Sequence, residues 1–420
     1  MKKVLLLGVG RSTHTLIKYL VEYAKQLNIE IFLADQYDND FINNYINQGL
    51  CYYVKLDINN DELRKEEIKK SDLVISMLPP KFHFLVAKDC INFSKNLITA
   101  SYVSSQIQEL DSAAKNANIL ILNEIGLDPG IDHISAMEVI DSLKEKGATI
   151  NTFKSFCGGL IAPESDNNPW NYKFTWNPKN VVLAGSSGAS YLKNGLIREF
   201  SYREVFSNTE LITIPSYGEF ESYANRDSLH YQKKYDLLDA HTIVRGTLRK
   251  VGFSEAWNVF VQLGMTSDDN SKQIISKNDF LNYIDKLNNP EIKQKMEYLN
   301  LFSDNNKSIN YNNPSEYLLE VLQKKWNLNN SDKDMIVMQH KFNYDLDGKN
   351  HDMKLSMVVK GDDSTHTAMA KTVGLPVFFA CKLLLEDKIS LKGVKIPIYK
   401  DIYKPILQDL SNEGITFFTS

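Results

Sequence analysis

The sequence predicts an α/β protein with an N-terminal doubly wound parallel sheet, a second α/β domain with a mixed sheet, and a small all-helical insertion. Three observations predict it. Apolar strand candidates alternate with helical patterns through the first third of the chain. From about residue 149, shorter strand-like pieces are separated by Gly, Pro and Asn. From 266 to 332 the chain is rich in Lys, Asn, Asp and Leu, with helical spacing at Phe280, Tyr283, Ile284 and Leu287.

The first strand candidate, residues 3–7, runs into Gly8-Val9-Gly10-Arg11-Ser12-Thr13 and then a helical pattern through Leu16, Ile17, Leu20 and Val21. This is close to the Rossmann dinucleotide fingerprint, with Thr13 where a third Gly or Ala usually stands. Gly8 permits the tight turn and Gly10 lets backbone approach a pyrophosphate at the helix N-terminus. Thr13 is expected to loosen the helix–strand packing slightly. The second strand, 30–35, ends at Asp35, about 25 residues past Gly10, where an acid can bond ribose hydroxyls. Further strands are expected at 51–55, 73–78, 96–101 and 119–124, with helices around 61–70, 81–93 and 104–117. Asp57 and Leu78 follow the third and fourth strands, on the side a dinucleotide would occupy.

Strands are then expected at 150–157, 212–215 and 241–249. A hairpin is expected over 335–344 and 353–359, with Asp347-Gly348 in its turn. The Asn-rich stretch 304–313 reads as a surface loop. A long apolar helix follows His366, and the tail from 392 packs back on the first domain. The expected domains are 1–127 plus 362–420, 128–265 plus 333–361, and the insertion 266–332.

Length, 43% hydrophobic content and a net charge of −4 describe an ordinary globular protein of two or three domains, with no basic block for nucleic acid. No signal peptide and no apolar run of about 18 residues is read, so no membrane span and a cytoplasmic location are expected. The four cysteines lie far apart with no CxxC pair, so neither zinc nor any other metal site is expected.

The candidate chemistry sits at strand ends. Asp128-Pro129, after the strand at 119–124, reads as a helix start, so Asp128 is either a helix cap or a ligand group. Tyr102 is a hydrogen-bond donor or a rim aromatic. Cys157, before Gly158-Gly159, faces a ligand or is simply a small buried residue. Arg245 and Arg249 share a face of one strand, and with Arg226 they are carboxylate forks or solvated surface groups. His83 and His133 have no metal-spaced partners and read as structural or supporting.

Several stretches together resemble the glutamate-forming saccharopine dehydrogenases: G-L-D-P-G-I-D-H at 126–133, C-G-G-L at 157–160, A-P-E at 162–164, K-F-T-W at 173–176, N-R-D-S at 225–228, G-T-L-R at 246–249 and A-M-A-K-T-V-G-L-P at 368–376. The resemblance runs nearly end to end. It implies a Rossmann domain completed by the C-terminus, a substrate domain and a helical insert. The implied reaction is reversible condensation of L-glutamate with 2-aminoadipate 6-semialdehyde to saccharopine, by hydride transfer at an imine carbon. Substrate contacts would fall on Ser101, Tyr102, Asp128, Arg226, Thr247, Leu248 and Arg249. Asp128, Tyr102 and Cys157 would be the groups near the reacting carbon. Cofactor contacts would fall on Gly8, Val9, Gly10, Arg11, Ser12, Ala34, Asp35, Gln36, Asp57, Leu78, Leu127, Asp128, Pro129 and Thr175. Members using NADPH carry Arg or a Ser–Thr cluster after the second strand. Asp35-Gln36 stands here, so NAD is the expected cofactor, with NADP the alternative. A homodimer is the assembly to expect. A carboxynorspermidine dehydrogenase-like polyamine enzyme and a non-catalytic dinucleotide-binding protein are the competing readings.

Overall fold

A strand buried on both faces must be apolar along its length, and β1 (Lys2–Leu7) is buried from Val4 through Leu7. The computed structural model describes residues 1–302 and 311–419, so the loop expected at 304–313 lies, as far as 310, outside the described residues. After β1 come α1 (His14–Leu27), β2 (Ile29–Asp35), α2 (Asp40–Asn47), β3 (Tyr52–Lys55) and α3 (Asp61–Lys70). Then follow β4 (Leu73–Ser76), α4 (His83–Asn92), β5 (Asn96–Ile98), α5 (Ser105–Gln108), α6 (Asp111–Asn116) and β6 (Leu120–Leu122). Helix α3 shows the local logic: Asn60 accepts from Leu63 N–H, Asp61 and Glu62 fill the first turn, and Lys69 and Lys70 the last. Both ends thus complement the helix dipole. The single helix expected over 104–117 is two, because Leu110 N–H bonds back to Ile107 and closes a turn between them.

The next elements are α7 (Ile131–Glu145), β7 (Thr149–Ile161), α8 (Pro178–Val182), β8 (Ala189–Lys193), β9 (Leu196–Phe200), α9 (Tyr202–Val205), β10 (Thr209–Ile214), β11 (Gly218–Ala224) and β12 (Arg226–Asp227). Helix α10 (His230–Lys234), β13 (Thr242–Lys250), α11 (Phe253–Gln262), α12 (Lys277–Leu287), α13 (Pro290–Leu299) and α14 (Pro314–Trp326) follow. The chain ends with β14 (Asp334–Leu346), β15 (Lys349–Lys360), α15 (Ala368–Leu385), β16 (Gly393–Lys395), α16 (Lys400–Asn412) and β17 (Phe418–Thr419). The β14–β15 turn has positive φ at both Asp347 (52°) and Gly348 (71°), as a two-residue hairpin of this hand requires.

The chain divides into two compact units, Met1–Ser142 with Ala368–Thr416, and Leu143–Thr367 with Phe417–Ser420. Against the expected boundaries, the first unit keeps α7 as far as Ser142. It yields 362–367 and 417–420 to the second. In the first unit seven parallel strands lie in the order β16-β6-β5-β4-β1-β2-β3, so the C-terminal β16 completes the sheet beside β6. The order reverses between β1 and β4, the switch point where open sheets bind ligands. Helix α15 is long and apolar enough to cross a membrane, although no such run was read from the sequence; it is mostly buried, and Phe378 packs on Tyr19 of α1.

In the second unit ten strands form a mixed sheet along the path β10-β11-β13-β7-β14-β15-β17, with β8, β9 and β12 to the side. The helices of 266–332 do not stand apart. Phe280, Ile284, Met296, Leu318 and Trp326 share one core with Trp170, Tyr172, Trp257 and Phe260.

Gly158 in β7 is set by close approach rather than by a turn. A Cβ there would lie 2.5 Å from the Leu248 carbonyl oxygen and 2.8 Å from Leu248 Cβ. Backbone cannot swing aside, and overpacking of this kind costs about 1–3 kcal/mol. Gly158→Ala is therefore expected to lower the calorimetric melting temperature; an unchanged midpoint would show that β7 and β13 separate freely.

Candidate active site

The glycine turn closes on itself through side chains that the sequence places far apart. Gly8 has φ +94°, and a Cβ there would meet the Met77 peptide at 3.0 Å. Val9 N–H donates to Asp35 Oδ2 at 2.8 Å, and Asn39 Nδ2 donates to the Val9 carbonyl at 3.1 Å. Asp35 Oδ1 accepts from Gln36 N–H at 2.7 Å. Asp35 thus holds the turn as well as ending β2, and Asn39, which also caps α2, was not foreseen. Thr13 does not loosen the packing: it is fully buried, and its hydroxyl donates to the Gly10 carbonyl at 2.7 Å. Ala34 is buried, Ser12 and Leu78 are half-buried, and Gly10, Arg11, Gln36 and Asp57 are exposed. Asp57 accepts from Asn59 N–H within its own turn.

The loop after β6 corrects one expectation. Asp128-Pro129 is not the helix start; the peptide between them is cis, and α7 begins at Ile131. Gly126 N–H bonds the Pro129 carbonyl, Asp132 N–H bonds the Leu127 carbonyl, and Asp132 Oδ1 accepts from Gly130 N–H at 2.6 Å. Asp128 Oδ1 accepts from the Tyr102 hydroxyl at 3.0 Å. Behind the loop, the buried Glu124 takes a left-handed φ of 59°. It accepts from Val103 N–H at 3.0 Å and pairs with His133 Nε2 at 2.8 Å. His133 is accordingly a buried support.

His83 does more than fill space. Its Nδ1 meets Ser76 Oγ at 2.9 Å and its Nε2 meets Ser101 Oγ at 2.7 Å, which ties the ends of β4 and β5 to the predicted substrate residue Ser101.

In the second unit Arg245 and Arg249 are buried, not solvated. Arg245 lies over the Tyr231 ring at 4.4 Å. The Arg249 guanidinium lies 5.1 Å from the Tyr172 ring, 5.8 Å from Tyr223 and 5.4 Å from Phe253. Its Nη1 donates to the Leu248 carbonyl at 2.9 Å, while Nε has no hydrogen-bond partner among the described residues. Cys157 is buried and pairs across the ladder with Thr247 and Met338, on the face that carries both arginines. Leu248 turns the other way, into the apolar core with Phe156 and Val337. Arg226 is exposed in β12 with φ 57°. The Thr175 hydroxyl is buried without a partner among the described residues. A polar groove of about 520 Å³, lined by Tyr298, Lys324, Lys325 and Asn329, includes Lys173 but none of the predicted site residues. Lys173 is committed there to Asp332 at 2.7 Å. Among the described residues no cluster of His, Cys, Asp and Glu could hold a metal ion.

Burial pushes the His83 imidazole from 6.5 down to about 4. The unfolded chain therefore takes up this proton first as pH falls. The contribution of His83 to stability is whole above about 6.5 and is lost as pH drops toward 4, by about 3 kcal/mol at most. Urea titrations across that window should show wild type losing more stability than His83→Gln; parallel curves would contradict the burial effect.

Residues 4–122 match the saccharopine dehydrogenase NADP binding domain, and residues 126–415 the saccharopine dehydrogenase C-terminal domain. The chain is 36% identical, over its whole length, to the mitochondrial alpha-aminoadipic semialdehyde synthase of Mus musculus, but it spans 48% of that protein. It is 32% identical to the saccharopine dehydrogenase [NADP(+), L-glutamate-forming] of Schizosaccharomyces pombe, covering 99% of this chain and 98% of that one. The solved structure of the apo, histidine-tagged saccharopine dehydrogenase (L-Glu forming) from Saccharomyces cerevisiae superposes with a TM-score of 0.88 at 32% identity, over 100% of this chain and 99% of that chain. With the glycine turn, the Asp128 loop and the arginine strand all lying inside those matches, this chain belongs to the saccharopine dehydrogenase family.

Proposed function

We propose that the chain interconverts saccharopine with L-glutamate and 2-aminoadipate 6-semialdehyde, using NADP. The observation that carries this reading is Arg249. Its buried guanidinium lies among three aromatic rings, its ladder partner Glu221 is taken up by the Gly252 and Ser254 N–H groups, and it makes no ion pair among the described residues. Burying a charge without a counter-ion costs several kcal/mol, which a bidentate ligand carboxylate offsets. Saccharopine brings three carboxylates. A cationic polyamine would instead meet a like charge, which argues against the polyamine reading. The names of the fungal relatives agree with the choice.

The turn at Gly8 to Ser12 suits a dinucleotide. A Cβ at Gly10 would meet nothing within 4 Å, so a pyrophosphate has room against the backbone there. A dinucleotide held against Gly8 to Ser12 would supply hydride exchange with the secondary-amine carbon of saccharopine. The rest falls to the chain. Oxidation leaves an imine and releases a proton. Water then adds to the imine carbon, and the C–N bond breaks to give aldehyde and the glutamate amine. Asp128 takes the proton from the adding water and returns it to the departing nitrogen. The Tyr102 hydroxyl, bonded to Asp128 Oδ1, holds that carboxylate in place. Arg249, with Thr247 beside it, fixes a substrate carboxylate; Cys157 lines the same face.

The NADP assignment replaces the NAD expected from Asp35. Three considerations support it. The Asp35 oxygens are turned back onto Val9 and Gln36 N–H groups. Arg11 is exposed and has no ion-pair partner among the described residues. The relatives are named for NADP(+).

Three measurements follow. Arg249→Lys keeps the charge but loses the fork, so kcat/KM for saccharopine should fall at least tenfold, about 1.4 kcal/mol, with NADPH binding unchanged. Normal kinetics would remove Arg249 from the substrate site. Asp128→Asn should reduce kcat by roughly a hundredfold or more, in line with loss of an acid–base group, and Tyr102→Phe by less; a wild-type rate in the Asn variant would return Asp128 to a loop-building role. Wild type should favour NADPH over NADH by at least about tenfold, and Arg11→Ala should erode that margin. A preference for NADH would restore the Asp35 reading.

A further inference from the structure

Hydroxyl hydrogens around His83 can be counted, and the count selects a tautomer. Ser76 is fully buried, and its hydroxyl has one hydrogen-bond partner among the described residues, His83 Nδ1 at 2.9 Å. His83 Nε2 meets Ser101 Oγ at 2.7 Å and, at the limit of bonding, Thr99 Oγ1 at 3.4 Å. Thr99 is fully buried as well, and its oxygen accepts from Ser101 N–H at 3.3 Å. Ser101 is half-buried, so its hydroxyl still reaches its surroundings.

A neutral imidazole has one N–H and one ring lone pair. Burial keeps this ring neutral through the ordinary working range. Suppose Nδ1 carried the hydrogen. It would donate to Ser76, and the buried Ser76 hydrogen would have no acceptor. The single Nε2 lone pair would then face two hydroxyls, Ser101 and Thr99, and could take only one. With Ser101 at the shorter distance, two buried hydrogens are left unmatched. Suppose instead that Nε2 carries it. Ser76 O–H donates to Nδ1, Nε2–H donates to Ser101 Oγ, and only the Thr99 hydrogen is unmatched. Buried polar groups seek partners, so the second arrangement wins.

We propose that His83 is a positioning residue: Ser76 holds it as the Nε2–H tautomer, and it occupies a lone pair of Ser101 so that the Ser101 hydrogen is committed to a carboxylate oxygen of the substrate. The last clause rests on the reading of Ser101 as a substrate residue in the proposed function. The consequence is directional. A free serine hydroxyl can turn its hydrogen to any side, whereas this one, with Nε2–H on one of its two lone pairs, keeps its hydrogen pointed away from His83 before the ligand arrives, which limits the ordering cost on binding.

The test reads the ring directly and then reads its effect. In the full chain labelled with ¹⁵N-histidine, the His83 signals are identified by their loss in His83→Gln. Nε2 should resonate as a protonated ring nitrogen and Nδ1 as an unprotonated, hydrogen-bonded one; the reverse pattern overturns the proposal. In steady-state kinetics Ser76→Ala should raise the KM for saccharopine by about three- to tenfold, with the KM for NADPH unchanged. The same substitution should have no further effect in a Ser101→Ala background. The Gln amide nitrogen falls near the place of Nε2 and the Asn amide near that of Nδ1. His83→Gln should therefore retain more kcat/KM than His83→Asn, a ranking that a merely space-filling ring would not produce. Additive effects of Ser76→Ala and Ser101→Ala, an Asn variant as good as Gln, or a change confined to NADPH would each overturn it. An enzyme with no saccharopine turnover refutes the substrate reading alone; the nitrogen signals then decide the tautomer by themselves.

Discussion

A polar group taken out of water must find a partner, and this fold is organised by where that rule is met and where it is not. In the first unit Arg64 is buried and bonded at all three of its side-chain nitrogens. Its Nε reaches Asp89 at 2.7 Å, Nη1 the Ile58 carbonyl at 2.7 Å and Nη2 Asp61 at 2.6 Å. In the second, Lys173 is buried against Asp332, which also accepts from Asn329 N–H. Such pairs contribute modestly to stability, because desolvation offsets most of the attraction. They matter here as a contrast: each buried charge just named is matched inside the protein, and Arg249 is not.

That contrast also separates Arg249 from its neighbours in sequence. Arg245 shares its face of β13 and is equally buried, yet it is stacked on Tyr231 at 4.4 Å, and Ser228 accepts from its N–H. Arg226 is exposed at the start of β12. Three arginines that look alike in the chain therefore differ in how much order a ligand must impose on them. A guanidinium already fixed by aromatic faces and by the Leu248 carbonyl loses little further entropy when it meets a carboxylate.

Much of the fold was legible in the sequence because periodicity is local. The strand at residues 2–7, the helix over 61–70 and the hairpin at 347–348 each carry their signal within a few residues: an apolar run, a capped and charge-polarised segment, an Asp-Gly pair. Errors arose where the deciding contact is distant. Asp128-Pro129 has the composition of a helix start, but the loop is closed by Gly126 and Leu127 accepting or donating across it, and the helix waits until Ile131. Asp35 has the position of a ribose-binding acid, and spacing does not reveal that its oxygens also accept from the Val9 and Gln36 N–H groups. The shared core of Trp170, Trp257 and Trp326 joins segments that no local pattern links, so the helices of 266–332 looked separable.

The same distinction explains which residues of the proposed site could be named in advance. Tyr102, Asp128 and Arg249 are residue types whose chemistry announces itself, and a resemblance in motif was enough to mark them. The groups that shape the glycine turn and hold the His83 ring are ordinary: a serine at the end of β4, an asparagine capping α2, a threonine inside the glycine turn. Nothing in their local sequence distinguishes them from surface Ser, Asn or Thr. Their roles arise because parallel strands end together, so that side chains from the end of β4 and the loop after β5 are brought within hydrogen-bond reach of one imidazole on α4. A parallel sheet thus collects, at its carboxyl edge, polar side chains that are remote in sequence. Fixing their donors and acceptors in advance is what turns a set of common residues into a site of defined polarity.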